Sequence, residues 1–251
     1  MTKTGGMFGK CRKTNLLLEK IVEIVSAGRK GKVLDLGCGD GKTGKEIFDR
    51  GFIVEACDMD AARFLFHNVI PFNNGNLNDK LPYRDGMFDY VIFMEVIEHV
   101  YNPDFVMAEI SRVLRKGGVL VLSTPNILNI GSRLRFLFEG SYDFFREPVL
   151  DYARCFPAAL QNMHVIPWRY HELEYLLEKN GLKVDNLYVD RQKANLIFPA
   201  LVLKPVMWVQ SLVKNGRTRQ KGGVDYSRIN KILFSSEMLL GKHLILKSTK
   251  Q

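Results

Sequence analysis

The stretch that decides the fold is Val33-Leu34-Asp35-Leu36-Gly37-Cys38-Gly39-Asp40-Gly41. A short apolar strand runs into glycines at every second position, with an acid set between its last apolar residues. Glycine lets a backbone turn sharply and approach a ligand with no Cβ in the way. Lys42 to Arg50 reads as a helix whose first N–H groups face back toward the loop. The junction therefore suits a ligand with a negative end and a larger planar body. Three fingerprints compete for it. Gly39 to Gly44 is a literal G-x-G-x-x-G, but it starts two residues after the first glycine. A P-loop would need glycine at Leu36. The pattern D-x-G-x-G-x-G fits from Asp35 through Gly41 without adjustment.

Downstream blocks extend the pattern. Phe52 to Cys57 reads as a second strand closed by Asp58. An acid there can accept both hydrogen bonds of a ribose diol, and Asp58 or Asp60 can equally cap a helix beginning near Ala61. Leu81-Pro82-Tyr83-Arg84-Asp85-Gly86-Met87-Phe88-Asp89 leads into a fourth strand ending near Phe93. Glu95-Val96-Ile97-Glu98-His99 follows that strand. Val113 to Asn126 reads as a helix end, a double-glycine turn at Gly117-Gly118 and a buried fifth strand.

Together, across residues 30 to 126, these blocks resemble the class I S-adenosylmethionine-dependent methyltransferases, and within them the ubiquinone-biosynthesis O-methyltransferase-like group. The resemblance implies an α/β fold: a Rossmann-like, seven-stranded, mostly parallel sheet with helices on both faces and an antiparallel terminal strand. It implies S-adenosyl-L-methionine as cofactor, held by Asp35, Gly37, Cys38, Gly39, Asp58, Met59, Asn76, Leu77 and Met94. Asp35 would orient the methionine end, directly or through the loop, Asp58 the ribose, and Asn76 with Leu77 the adenine pocket. Asn76 stands where the family often has Asp, and its amide oxygen offers the same acceptor.

The catalytic expectation centres on Glu95, Glu98 and His99. On a helix, residues i, i+3 and i+4 share a face, so the three would converge at the carboxyl edge of the sheet. His164-Val165-Ile166-Pro167-Trp168-Arg169-Tyr170-His171-Glu172 precedes a late helix and resembles a histidine-bearing stretch of several family branches. By resemblance to small-RNA 2′-O-methyltransferases, Glu95, Glu98, His99 and His164 would hold a divalent metal, with His99, His164 and Glu98 carrying the chemistry. Two imidazoles suit manganese, iron or zinc better than magnesium. Against this stand His99 as a metal-free base, and Glu95 and Glu98 as acids favoured by a helix N-terminus. His67 and His243 read as surface or strand-edge residues, and His171 as part of a solvated helix face.

The chain of 251 residues reads as one methyltransferase domain over 1–251, with a substrate-side insertion at 127–165 and an apolar and basic insertion at 191–236 inside the last hairpin. The first insertion is aromatic (Phe136, Phe138, Tyr142, Phe144, Phe145) with Arg133, Arg135 and Arg146 among the rings. The second holds an apolar run, Leu196 to Val213, interrupted by Pro199, Lys204 and Pro205 and followed by Lys214, Arg217, Arg219 and Lys221. A charge beside a proline at its centre argues against a membrane span. The composition suits a segment of 196–221 lying on an anionic membrane surface, with a lid or a dimer contact as the competing roles. Four scattered cysteines (Cys11, Cys38, Cys57, Cys155) and a polar, basic N-terminus point to a reducing cytoplasm, and the 196–221 segment to a peripheral place at the membrane there. The net charge of +9 favours anionic partners, but the basic cluster lacks interleaved aromatics for base stacking, which disfavours nucleic acid. The expected activity is O-methylation of a small or lipid-linked metabolite such as a quinone precursor, isoprenoid or glycan. RNA 2′-O-methylation at a metal site and a non-catalytic, membrane-associated cofactor-binding scaffold are the alternatives.

Overall fold

The structure, a computed structural model, describes residues 15–145, 163–219 and 226–251. Cys11, Arg146, Cys155, Lys221 and the middle of the first insertion lie outside the described residues, as do the side chains of 214–219. Strand β1 (Lys32–Leu36) is buried on both faces, as a central parallel strand must be. It pairs in parallel with β2 (Ile53–Asp58) on one side and β4 (Phe88–Met94) on the other. With β3 (Phe72–Asn74), β5 (Leu114–Pro125), β6 (Leu182–Val189) and β7 (His243–Lys250), the sheet has seven strands in the order β3-β2-β1-β4-β5-β7-β6. The chain order reverses between β1 and β4, which opens a crevice at their carboxyl ends.

Side-chain alternation divides the core. Leu34 and Leu36 join Phe93, Ile110 and Leu177 on one face, packed by α3 (Pro103–Val113) and α5 (Tyr170–Lys179). Val33 and Ile92 face Ile21, Val25 and Ile47 on the other, packed by α1 (Leu16–Ser26) and α2 (Lys42–Phe48). Between β5 and α5 comes α4 (Ile130–Glu139), started by the Asn129 side chain and ended by Gly140. Gly117-Gly118 does not form a separate turn ahead of β5. It lies within the strand as an irregularity, where the pairing steps from Phe88↔Leu114 to Tyr90↔Val119.

β7 runs antiparallel to both β5 and β6, as the interrupted-hairpin reading requires. The excursion between β6 and β7 carries α6 (Ile197–Arg219), α7 (Ser227–Leu233) and α8 (Ser236–Leu240). Contrary to the expected interruption, α6 is one continuous helix through Pro205. Ala200, Leu203 and Met207 pack it onto Ile130 and Leu134 of α4 and Leu239 and Leu240 of α8. That tertiary contact offsets a proline cost of about 3 kcal/mol in a helix interior.

Candidate active site

The turn after β1 is held from below. Gly37 and Cys38 both donate their N–H to the Cys57 carbonyl, at 2.8 and 3.2 Å, and Gly37, Gly39 and Gly41 carry φ of +70°, +54° and +79°. At Gly37 a side chain is doubly excluded, because a Cβ would also lie 2.6 Å from Val96 Cγ2. Asp35 follows β1's alternation to the α2 side of the sheet. It is 2% exposed, and its Oδ2 accepts the Gly44 N–H at 2.9 Å. Burial pushes its carboxyl up to about 7 against that hydrogen bond, with repulsion from Asp58 and Asp40 adding to the rise. Asp35 therefore sits beneath the loop and steadies the start of α2, and it does not line the cleft.

A cleft of about 570 Å³ crosses the carboxyl ends of β1, β2 and β4. Gly37, Cys38, Gly39, Asp58, Met59, Asn76, Leu77 and Met94 all line it, so eight of the nine residues expected around the cofactor meet in one place. Asp58 accepts the Gly39 N–H at Oδ2 (2.8 Å) and the Asp60 N–H at Oδ1 (3.0 Å). A carboxylate has about four acceptor positions, so one remains on each oxygen for a diol. Capping falls to Asp60, which accepts from Ala62 N–H at the start of a 3-10 turn. Asn76 lines the cleft, but its Oδ1 takes both the backbone and side-chain N–H of Asn78, each at 3.0 Å. The acceptor expected to face an adenine amino group is thus already engaged.

At the other end of the cleft the chain departs from the expected helix. Glu95 has φ +53°, and only a 3-10 turn, Ile97–His99, follows it. Glu95, Glu98 and His99 consequently do not share a helical face. Glu98 turns inward and is fully buried: Oε2 accepts from Thr124 Oγ1 at 3.1 Å, while Oε1 has no hydrogen-bond partner among the described residues. The segment carrying His164 is clamped to this turn, since Val165 and Ile166 N–H reach the Glu98 carbonyl at 2.9 and 3.0 Å and Trp168 Nε1 reaches that of Ile97 at 3.2 Å. Glu98, His99 and His164 each offer a ligand atom within 4.8 Å of the others.

The imidazoles are oriented as metal-ligating histidines usually are, with one ring nitrogen spent on a carbonyl. His99 Nδ1 lies 2.6 Å from the Met163 carbonyl and His164 Nδ1 lies 3.1 Å from that of Phe144. A carbonyl only accepts, so both Nδ1 atoms carry the proton and Nε2 holds the lone pair. His164 Nε2 is 3.9 Å from Glu98 Oε1. Burial lowers the His99 pKa, keeping the ring neutral, and burial raises that of Glu98 well above the usual carboxylate range, with repulsion from Glu95 adding to it. Two imidazoles and one carboxylate with an orphaned buried oxygen fit a divalent transition ion.

Glu95 is not part of that cluster. It lines the cleft, accepts from Ser123 Oγ at 3.0 Å, and stands 3.7 Å from His243 Nε2. His243 is itself not a surface residue: it is 7% exposed, and its Nδ1 meets Asp190 Oδ2 at 2.9 Å. Phe144, with φ +71°, lays its ring 5.4 Å from that of His243 and 6.2 Å from that of His164. The Asp190–His243–Glu95 chain was missed because its members are far apart in sequence. The signal was nonetheless present: an antiparallel last strand brings its first residue to the carboxyl edge of β5, and His243 pairs with Pro125. His67 and His171 are exposed, as expected.

Comparison with known proteins agrees with this geometry. Residues 9–187 match the model of a methyltransferase domain family. The chain belongs to the class I S-adenosylmethionine-dependent methyltransferases. This methyltransferase is 32% identical over 155 residues to a ubiquinone biosynthesis O-methyltransferase of Psychrobacter arcticus, covering 54% of this chain and 59% of that protein. It is 38% identical over 104 residues to a probable S-adenosylmethionine-dependent methyltransferase of Mycolicibacterium smegmatis, covering 40% and 39%. The methyltransferase thus matches less than two thirds of the length of these relatives. In fold it is similar to the S-adenosylmethionine-dependent methyltransferases of Archaeoglobus fulgidus (TM-score 0.55, 16% identity, 91% of this chain and 94% of that one) and Mesorhizobium loti (0.54, 12%, 93% and 98%). S-adenosylmethionine is the methyl donor.

Proposed function

We propose that this methyltransferase O-methylates a small or lipid-linked acceptor whose hydroxyl is held at a divalent metal. The observation that carries the reading is the Glu98–His99–His164 cluster beside the methyl-donor cleft, with Glu98 buried, its Oε1 orphaned among the described residues, and both half-buried imidazoles oriented by carbonyls. S-adenosylmethionine supplies an electrophilic methyl on a sulfonium, and its transfer needs nucleophile, methyl and sulfur in line. Holding that geometry accounts for a share of the roughly 7–11 kcal/mol available from orientation. A metal held by Glu98, His99 and His164 would orient the acceptor oxygen and lower its pKa.

In this reading Glu95 leaves the ligand set. It is the cleft-lining carboxylate beside the acceptor, and burial raises its pKa toward that of a useful proton acceptor. Ser123 and His243 orient it, and Asp190 orients His243. His99, with Nε2 committed to the cluster, is a ligand rather than the base. Similarity to the ubiquinone-biosynthesis relatives and the rings of Phe144 and Phe145 support an apolar, ring-bearing acceptor, methylated in the cytoplasm. The test incubates the protein and a labelled methyl donor with lipid, polar-metabolite and RNA fractions, before and after chelation. Label is expected in the lipid or small-molecule fraction, lost on chelation, restored by manganese, iron or zinc, and absent in Glu98→Gln. Label confined to RNA, or a rate indifferent to chelation, overturns the reading.

A further inference from the structure

Helix α6 has the wrong surface for a helix facing water. At about 100° per residue, Leu196, Ala200, Leu203 and Met207 form the face that packs on the protein. Over residues 198–213 the opposite arc, roughly 140° wide, carries Phe198, Leu201, Val202, Val206, Val209 and Val213, each at least 51% exposed, and no charged residue lies on it within that described stretch. Trp208 sits at its border, 55% exposed. Lys204, Gln210 and Ser211 fall instead near the packed face. Such a continuous exposed apolar surface marks an interaction site.

Charge selects the occupant. Between Asp190 and Asp225 the sequence has seven lysines and arginines and no acid. A second copy of the same face would bring like charges together, whereas an anionic lipid surface complements them. Ala194–Val213 is long and apolar enough to cross a membrane, but α4 and α8 occupy one side of the helix, so lipid can reach only the other. That geometry belongs to a helix lying in the membrane plane.

We propose that α6 docks the enzyme on an anionic membrane, its outer face buried among the acyl chains and its packed face still on the protein. The docked helix is coupled to the acceptor side of the site. Lys193, just before it, pairs with Asp143 at 2.9 Å, next to the Phe144 that holds His164, and Asp190, a few residues earlier, holds His243. A lipid-linked acceptor would thus meet the site at the bilayer surface. The docking itself stands whichever acceptor is methylated.

The test is co-sedimentation of the full chain with extruded vesicles, phosphatidylglycerol-containing or of phosphatidylcholine alone, at low and high salt. Wild type should bind the anionic vesicles, release with salt, and show a blue shift of tryptophan fluorescence that Trp208→Phe removes. Leu201→Glu/Val209→Glu should weaken binding by at least about tenfold. Because both residues are exposed, the thermal shift with S-adenosylhomocysteine should stay unchanged, which separates lost docking from lost folding. Absence of wild-type binding, or equal binding by the double variant, overturns the proposal. So does a wild-type dimer in light scattering that ignores vesicles and becomes monomeric in the double variant, which would assign the face to a second copy.

Discussion

Asp58→Asn is the sharpest probe of the cofactor cleft. The carboxylate now holds Gly39 N–H at 2.8 Å and Asp60 N–H at 3.0 Å, with an acceptor position left on each oxygen. Asparagine keeps one acceptor oxygen, and its amide NH₂ must face either the Gly39 or the Asp60 N–H, donor against donor. If Asp58 grips the ribose diol, the variant loses one charge-assisted bond to it and weakens the anchor of the glycine turn. A hydrogen bond to a charged group contributes about 1.5–3 kcal/mol and a neutral one about 1, so the combined loss is about 3 kcal/mol. Isothermal titration of the full chain with S-adenosylhomocysteine should show affinity falling on the order of a hundredfold. A dissociation constant within about threefold of wild type would refute the assignment of Asp58 to the ribose, since no single charge-assisted bond is worth so little.

Raising Asp35 from 3.8 to about 7 makes the folded state bind a proton that the unfolded chain releases, so its contribution is present at low pH and lost as pH rises toward about 7. The melting temperature of Asp35→Asn minus that of wild type should grow across that interval, reaching the equivalent of on the order of 4 kcal/mol; a flat difference would refute it. Gly37→Ala meets both a positive φ and Val96 Cγ2 at 2.6 Å, and should cost about 2–4 kcal/mol in denaturant unfolding. Adding Val96→Ala should restore the steric part only, so strict additivity of the two substitutions would show that the contact is not limiting.

The readable part of the site is the part built from local backbone. The alternating glycines impose their turn through φ values that side chains resist, and the acid at the end of β2 lies one strand away in a parallel pair, with Leu36 beside Cys57. Those contacts follow from adjacency, and Asp58, Met59 and Met94 met the loop as expected. For Asp35 the sequence left open a direct role or one through the loop, and strand alternation carries it under the loop. The E-x-x-E-H block was legible in composition but misleading in geometry. A left-handed Glu95 and a 3-10 turn separate residues that a regular helix would align.

By itself, the amino-acid order determined the cofactor and the sheet that binds it. The sheet rests on short-range rules, apolar runs for buried strands and glycine where the backbone must turn, while the cofactor followed from the family resemblance that those blocks carry together. Only the tertiary structure decided which groups face the acceptor. His164 joins Glu98 because its segment hydrogen-bonds across the 97–99 turn, and His243 reaches Glu95 because β7 is inserted antiparallel between β5 and β6. It also decided which side of α6 is covered. Hydrophobicity alone does not distinguish a packed face from an exposed one; the contacts with α4 and α8 do.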